Sequence, residues 1–313
     1  AGIELKYIAD PMTEIWSDRP AIPQDPIVVH PLRYAGKPTT EKLEEIRRAL
    51  VAQGAEAIFV SQLDEIAWTL NLRGSDVHCN PVFVAYLYIG KEESILFTDA
   101  AKIPQETADY LASIPVNVAP YTEAASKLSG LQGIHLLLDL PKTNAAIYQA
   151  ALQGCHLIEQ ASPICLMKSV KNETEQNGFR EAMIRDGIAM VKFLHWLKPA
   201  VERGGETELS IDRKLCALRA EQSNYRGISF DTIAGYAAHG AIVHYEATPE
   251  TDIPLQPKGL LLLDSGGQYL DGTTDLTRTI ALGPTTEEER TDYTLVLKGF
   301  LALMHAEFPD GTC

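Results

Sequence analysis

Leu260-Leu261-Leu262-Leu263-Asp264-Ser265-Gly266-Gly267 runs, after Gln268-Tyr269-Leu270, into Asp271-Gly272-Thr273-Thr274-Asp275. Four leucines and then an acid describe a buried strand that delivers a carboxylate. A second strand, 273–282, carries the other acid. A tight turn at Asp271-Gly272 sets Asp264 opposite Thr279 and leaves Asp275 four residues out of register, more than about 10 Å along a strand that rises ~3.4 Å per residue. Gly266, Gly267 and Gly272 permit a wider, bulged connection, which is expected to bring Asp264 and Asp275 together. Two carboxylates packed together repel unless a cation lies between them, so the pair reads as a metal site. Oxygen ligands favour a hard ion such as Mn²⁺, with Zn²⁺ and Co²⁺ as alternatives. The bland alternative is that each Asp merely ends a strand, as Asp271-Gly272 marks a turn.

Working outward, Gly240-Ala241-Ile242-Val243-His244-Tyr245 places a histidine after an expected apolar strand, ahead of Asp264. A lone histidine is more often a core residue than a catalytic one. Its functional reading is a hydrogen-bond donor beside a bound substrate. His239 reads as a loop residue. Thr286 with Glu289 forms a capping box for a helix ending near Phe308, and Asn172 with Glu175 opens a long helix. Along that helix Phe179, Met183, Met190, Leu194 and Leu197 are expected to form the apolar stripe. Gly204-Gly205 ends it, and Thr207 caps a further helix to about Gln222.

The N-terminal half has a different pattern. Six prolines between Pro11 and Pro38 prevent a continuous helix, so residues 1–38 read as an extended linker. A helix from about Thr40 to Gln53 buries Leu43, Ile46 and Leu50. Strands follow at 57–60, 82–89, 95–98 and 134–139. Short strands and helices alternating in this way predict an α/β unit on a mixed sheet over residues 39–165. The change to long helices sets a boundary near residue 166, with a second unit over 166–313.

The 313 residues are 45% hydrophobic and 22% charged, as in ordinary globular proteins, and carry a net charge of −15. That charge repels nucleic acid and anionic membranes, and no run is long enough to cross a bilayer. Five widely spaced cysteines without a CxxC pair fit reduced thiols in a cytoplasmic protein. Ala1-Gly2 reads as an internal start and Pro309–Cys313 as an abrupt end, so a piece of a longer protein is expected. No GxSxG elbow points to a serine peptidase.

GAIVHY (240–245), LLLDSGGQYLDGTTDLTRTIALG (261–283) and LVLKG (295–299) resemble the catalytic motifs of the Xaa-Pro aminopeptidase (aminopeptidase P) family. LDEIAWTLNLRGSDVHCNPVF (63–83) and IWSDRPAIP (15–23) resemble the three-domain form of that family. The resemblance implies a creatinase-like α/β domain followed by the first half of a pita-bread catalytic domain. It implies two divalent metal ions, with Asp264 and Asp275 among the metal ligands. His244 matches the active-site histidine that contacts the substrate, and Phe230 matches an aromatic lining the substrate pocket. The family's remaining His and two Glu ligands fall beyond Cys313, and its first domain before residue 1. The chain by itself is therefore expected to bind Mn²⁺ poorly and to be inactive.

The implied activity is release of the residue that precedes proline at a peptide N-terminus, by a cytoplasmic, homodimeric enzyme. The Xaa-Pro bond lacks an N–H, which closes it to peptidases that grip that group. A prolidase and a non-catalytic binding module on the same fold are the competing readings. The 63–83 stretch disfavours the first, and the presence of both acids disfavours the second.

Overall fold

The computed structural model describes residue 8 and residues 10–312, with Thr13 as backbone only. Two units emerge. One gathers the described residues up to Val29 with Lys42–Asp76 and Val82–Cys165. The other gathers His30–Glu41, Val77–Pro81 and the described residues from Leu166 onward.

In the first unit the helix Thr39–Ala52 turns Leu43, Ile46 and Leu50 inward, each essentially without exposure. Their spacing of three and four residues puts them on one helical face. The short strands β1 (Val28–Val29), β2 (Ala57–Val60) and β3 (Leu72–Arg73) come first. They are followed by β4 (Tyr86–Ile89), β5 (Ser94–Thr98), β6 (Asn117–Pro120), β7 (His135–Leu138) and β8 (His156–Glu159). Six of them form a mixed sheet in the order β6-β5-β4-β2-β7-β8. β2 is buried along its whole length, as a central strand with covered faces must be. Phe59, Phe97, Leu136 and Leu138 form its core with Leu128 and Ile147, each side chain contributing about 1.5–3 kcal/mol on burial. The strand expected from residue 82 starts at Tyr86, because Val84 N–H bonds to Asp76 Oδ2 at 2.6 Å and not to a neighbouring strand.

In the second unit Glu173–Arg203 and Glu208–Ala220 pack as neighbouring helices. Each begins with a complete capping box, on Asn172/Glu175 and on Thr207/Ser210, worth about 1 kcal/mol apiece. The first half of the long helix does not bury the expected stripe. Phe179 and Met183 are exposed, and Gly178, Ala182 and Asp186 point inward in their place. The reason is close approach. A Cβ on Gly178 would lie 2.2 Å from Asp271 O, so only glycine admits the hairpin tip there.

The strands of this unit are β9 (Tyr225–Ile228), β10 (Ile233–Tyr236), β11 (Leu260–Ser265), β12 (Gly267–Tyr269), β13 (Gly272–Thr273) and β14 (Leu276–Ala281). They form two antiparallel sheets, β10-β11-β14 and β13-β12-β9. One hairpin, 260–281, belongs to both. Its core face carries Leu261 and Leu263 against Met190, Phe193, Leu215 and Leu255. The helix Glu287–Met304 is capped by Thr286/Glu289 as expected, and among its described residues none is buried.

Candidate active site

The hairpin register differs from the expected one, and the difference decides the site. Asp264 pairs with Thr277 and Ser265 with Leu276. The same offset continues at Gln268↔Thr273 and Tyr269↔Gly272. The turn is therefore the pair Leu270-Asp271, one residue earlier than Asp271-Gly272. Moving a two-residue turn by one position moves every cross-strand partner by two. The register is the same on both sides of the break in pairing at Gly266 and Thr274-Asp275, so no bulge between the arms is needed, and Thr274 N–H donates to Gly267 O at 2.9 Å.

Counted from the register on either side, Asp264 and Asp275, the latter between β13 and β14, fall at diagonal positions of one face, which in a regular sheet lie about 7–8 Å apart and somewhat less at Cβ. The glycine at 266 serves another purpose. A Cβ there would lie 2.0 Å from Thr274 O and 2.2 Å from Ser229 Oγ. It is the point at which β11 and β12 part into their two sheets.

The two faces of the hairpin have opposite electrostatics. On the core face Arg219 is fully buried and grips Asp186 through Nε at 2.7 Å and Nη2 at 3.1 Å. Ser265 Oγ accepts from the same Nη2 at 3.1 Å, and Tyr269 donates its hydroxyl to Asp186 at 3.0 Å. Burial, with Asp186 beside it, pushes the Tyr269 phenol well above its ordinary range. On the other face Asp264 is half-buried, and its Oδ1 is buried with no hydrogen-bond partner. Asp275 is exposed. Among the described residues neither acid has a cationic side chain as partner. A buried carboxylate oxygen without a donor costs free energy that a bound cation would offset. The pair thus fits a divalent ion, with one oxygen of Asp264 already buried and Asp275 on the same face by register. An all-oxygen donor set favours a hard ion.

His244 is exposed and lies at φ +56° in a turn. It does not follow a strand, as the sequence reading expected. Ala237–Ala241 is a 3₁₀ turn, and Ile242 and Val243 are exposed, which explains why an apolar run fails to become a strand. This loop folds over the open face of the hairpin: a Cβ on Gly240 would touch Leu262 Cβ at 3.4 Å, two residues from Asp264 on the same side. Phe230, half-buried, lies in the β9–β10 loop. The preceding Ser229 donates N–H to Gly266 O at 3.2 Å and Oγ–H to Thr274 O at 2.8 Å. The backbone of that loop therefore runs beside the strand positions next to both acids.

Sequence reasoning missed Glu208. Its carboxylate is fully buried, accepting from Tyr236 N–H at 2.8 Å and Tyr245 O–H at 2.9 Å and contacting His239 Nδ1 at 3.0 Å. The rings of His239 and Tyr245 stand 4.4 Å apart. One carboxylate thus clamps both sides of the loop that carries His244, and His239 is an anchor. The sequence shows Glu208 only as the first residue of a helix, where an acid is ordinary. The one signal was the pair His239 and Tyr245 flanking His244.

Comparison with known proteins bears on this arrangement. Residues 18–175 match the creatinase/prolidase N-terminal domain, and residues 177–313 match metallopeptidase family M24. The chain is 40% identical to Xaa-Pro aminopeptidase 1 of Dictyostelium discoideum over 99% of its own length and 51% of that protein. It is 36% identical to aminopeptidase P2 of Arabidopsis thaliana, over 99% and 48%. It overlays the X-prolyl aminopeptidase of Caenorhabditis elegans, described as a cytosolic enzyme with a di-nuclear active site, with a TM-score of 0.90 and 31% identity over 98% of this chain and 51% of that one. A Bacillus anthracis Xaa-Pro dipeptidase, at 20% identity and a TM-score of 0.66 over 84% of this chain and 70% of that one, shares the fold. The chain spans about half the length of the curated relatives it matches.

Proposed function

The chain belongs to the Xaa-Pro aminopeptidase family of M24 metallopeptidases, and from that premise we propose that its protein removes the N-terminal residue from peptides with proline in second position. The observation that carries the proposal is the unpartnered, buried Oδ1 of Asp264 on the face it shares with Asp275. Two adjacent acids without a countercharge, one of them with a buried bare oxygen, suit a cation.

Asp264 and Asp275 would be this chain's ligands to two divalent ions, with Mn²⁺ favoured by the oxygen donors and Zn²⁺ or Co²⁺ as alternatives. When bound, the ions would polarise the scissile carbonyl and lower the pKa of water. The chain's own residues provide orientation. Glu208 fixes both sides of the 239–245 loop, so that His244 donates a hydrogen bond to the substrate carbonyl as charge develops there. Phe230 would line the position of the residue next to the cleaved bond. The tertiary amide before proline offers no N–H, so recognition falls on the carbonyl and the free amine. A cytosolic location, stated for the nematode enzyme, and a homodimeric state belong to the same proposal. Among the described residues no helix is long and apolar enough to cross a membrane.

The test uses a chain of the relatives' full length with added Mn²⁺. A tripeptide Xaa-Pro-Xaa should be cleaved before proline, and the dipeptide Xaa-Pro should be a poor substrate. His244→Ala should slow turnover about 10²-fold, the scale of losing one transition-state donor. Preference for the dipeptide would replace this reading with a prolidase.

A further inference from the structure

We propose that His78, Cys79 and Asp231 form a second cation site, one for a soft divalent ion such as Zn²⁺, on the outer side of the loop that carries Phe230. The three side chains offer an imidazole nitrogen, a thiol sulfur and a carboxylate oxygen, all within 4.8 Å of one another. His78 Nε2 and Asp231 Oδ1 already meet at 2.8 Å. A tetrahedral zinc ion with bonds of about 2.0–2.3 Å needs its ligand atoms about 3.3–3.8 Å apart. The widest separation thus needs to shrink by about 1 Å and the His78–Asp231 pair to widen by about 0.5 Å, both within reach of side-chain rotation.

The backbone holds the cluster from both sides. Asn80 N–H donates to Val77 O at 3.0 Å, closing a turn with His78 and Cys79 at its corner. Cys79 occupies a left-handed conformation at φ +60°, uncommon for any residue with a Cβ. Its carbonyl accepts from Gln268 Nε2 at 2.9 Å, which ties the turn to the tip of the 260–281 hairpin. Asp231 comes from the β9–β10 loop, beside Phe230. Two separate segments thus deliver three different ligand types to one point. A surface ion pair would need only His78 and Asp231; it gives no reason for a thiol beside them.

The donor set differs in kind from Asp264 and Asp275. Nitrogen and sulfur select Zn²⁺ or Co²⁺, and paired carboxylates select Mn²⁺. Binding at the turn would release the thiol proton to solvent, with His78 coordinating as neutral imidazole. Cys79 and His78 are partly or fully exposed, so a fourth position stays open to water or another small ligand.

The experiment titrates Co²⁺, as a spectroscopic stand-in for Zn²⁺, into this chain and reads the thiolate-to-cobalt charge-transfer band. One equivalent should produce the band, and Asp264→Asn with Asp275→Asn should leave it intact. Cys79→Ser should abolish it. Cys79→Gly, which suits the left-handed backbone and so protects folding, should abolish it too. His78→Ala should weaken binding by at least about tenfold, as losing a direct ligand costs no less than losing a supporting partner. A chain that gives no band, or a band that survives both Cys79 substitutions, overturns the proposal. Because the double Asp variant is among the samples, loss of the Mn²⁺ site and loss of this one are separately visible.

Discussion

Asp186, from the long helix, meets the core face of the hairpin and Asp264 stands on its other face, and the fold treats them in opposite ways. Asp186 is 1% exposed and is met by two guanidinium nitrogens and a tyrosine hydroxyl. Asp264 is also drawn partly inside, yet one of its oxygens has no donor and the next acid, Asp275, adds a like charge. A carboxylate that the fold uses for itself receives a countercharge from the chain. One that the fold leaves bare is held for something the chain does not contain. The contrast is local, so burial in general does not explain it.

The contrast can be broken most forcefully at Arg219. Arg219→Met leaves Asp186 buried and unneutralised, and should cost about 3–5 kcal/mol, read as a lower urea midpoint. Replacing Asp186 and Arg219 together with leucines should recover most of that loss, since the charge and its partner leave as one. A single-variant loss below about 1 kcal/mol would show that the core face is not governed by this pair.

Gly266→Ala comes next. Its Cβ would meet Thr274 O at 2.0 Å and Ser229 Oγ at 2.2 Å. The strands must separate, at about 1–3 kcal/mol of lost stability, and the diagonal of Asp264 and Asp275 opens with them. Glu208→Ala tests the clamp. It strips acceptors from Tyr236 N–H and Tyr245 O–H, with a loss of about 1–3 kcal/mol from buried donors left unpaired. Glu208→Gln, keeping an acceptor oxygen, should recover part of it.

The smallest effect on stability is expected at Asp264. Asp264→Asn in the metal-free chain should change the urea midpoint by no more than about 0.5 kcal/mol, in either direction, because no folded-state partner is lost. A loss like that of Arg219→Met would mean that Asp264 has a structural partner, and the comparison between the two faces would collapse.

Much of this was legible beforehand, where local chemistry decides. The capping residues Asn172, Thr207 and Thr286 gave the helix starts directly, because an N-cap acts within one turn. The acids of the hairpin were visible because a polar end to an apolar strand needs a reason. The exact turn was not, since Leu270-Asp271 carries a weaker turn signal than Asp271-Gly272, and the choice rests on Gly178 admitting the tip against the long helix. The apolar Ala241-Ile242-Val243 read as a strand because hydrophobicity alone does not reveal that no neighbour covers it. Glu208 was hidden because its partners come from a strand and a loop far along the chain.

The most direct measurement is the divalent cation content of the folded protein at the relatives' full length, by metal analysis after equilibration with Mn²⁺. It is taken for the unaltered chain, Asp264→Asn and Asp275→Asn, alongside cleavage of an Xaa-Pro tripeptide. The account predicts that both variants fold with unchanged stability, bind less Mn²⁺ and lose cleavage. Variants that keep full Mn²⁺ content and full cleavage would contradict it.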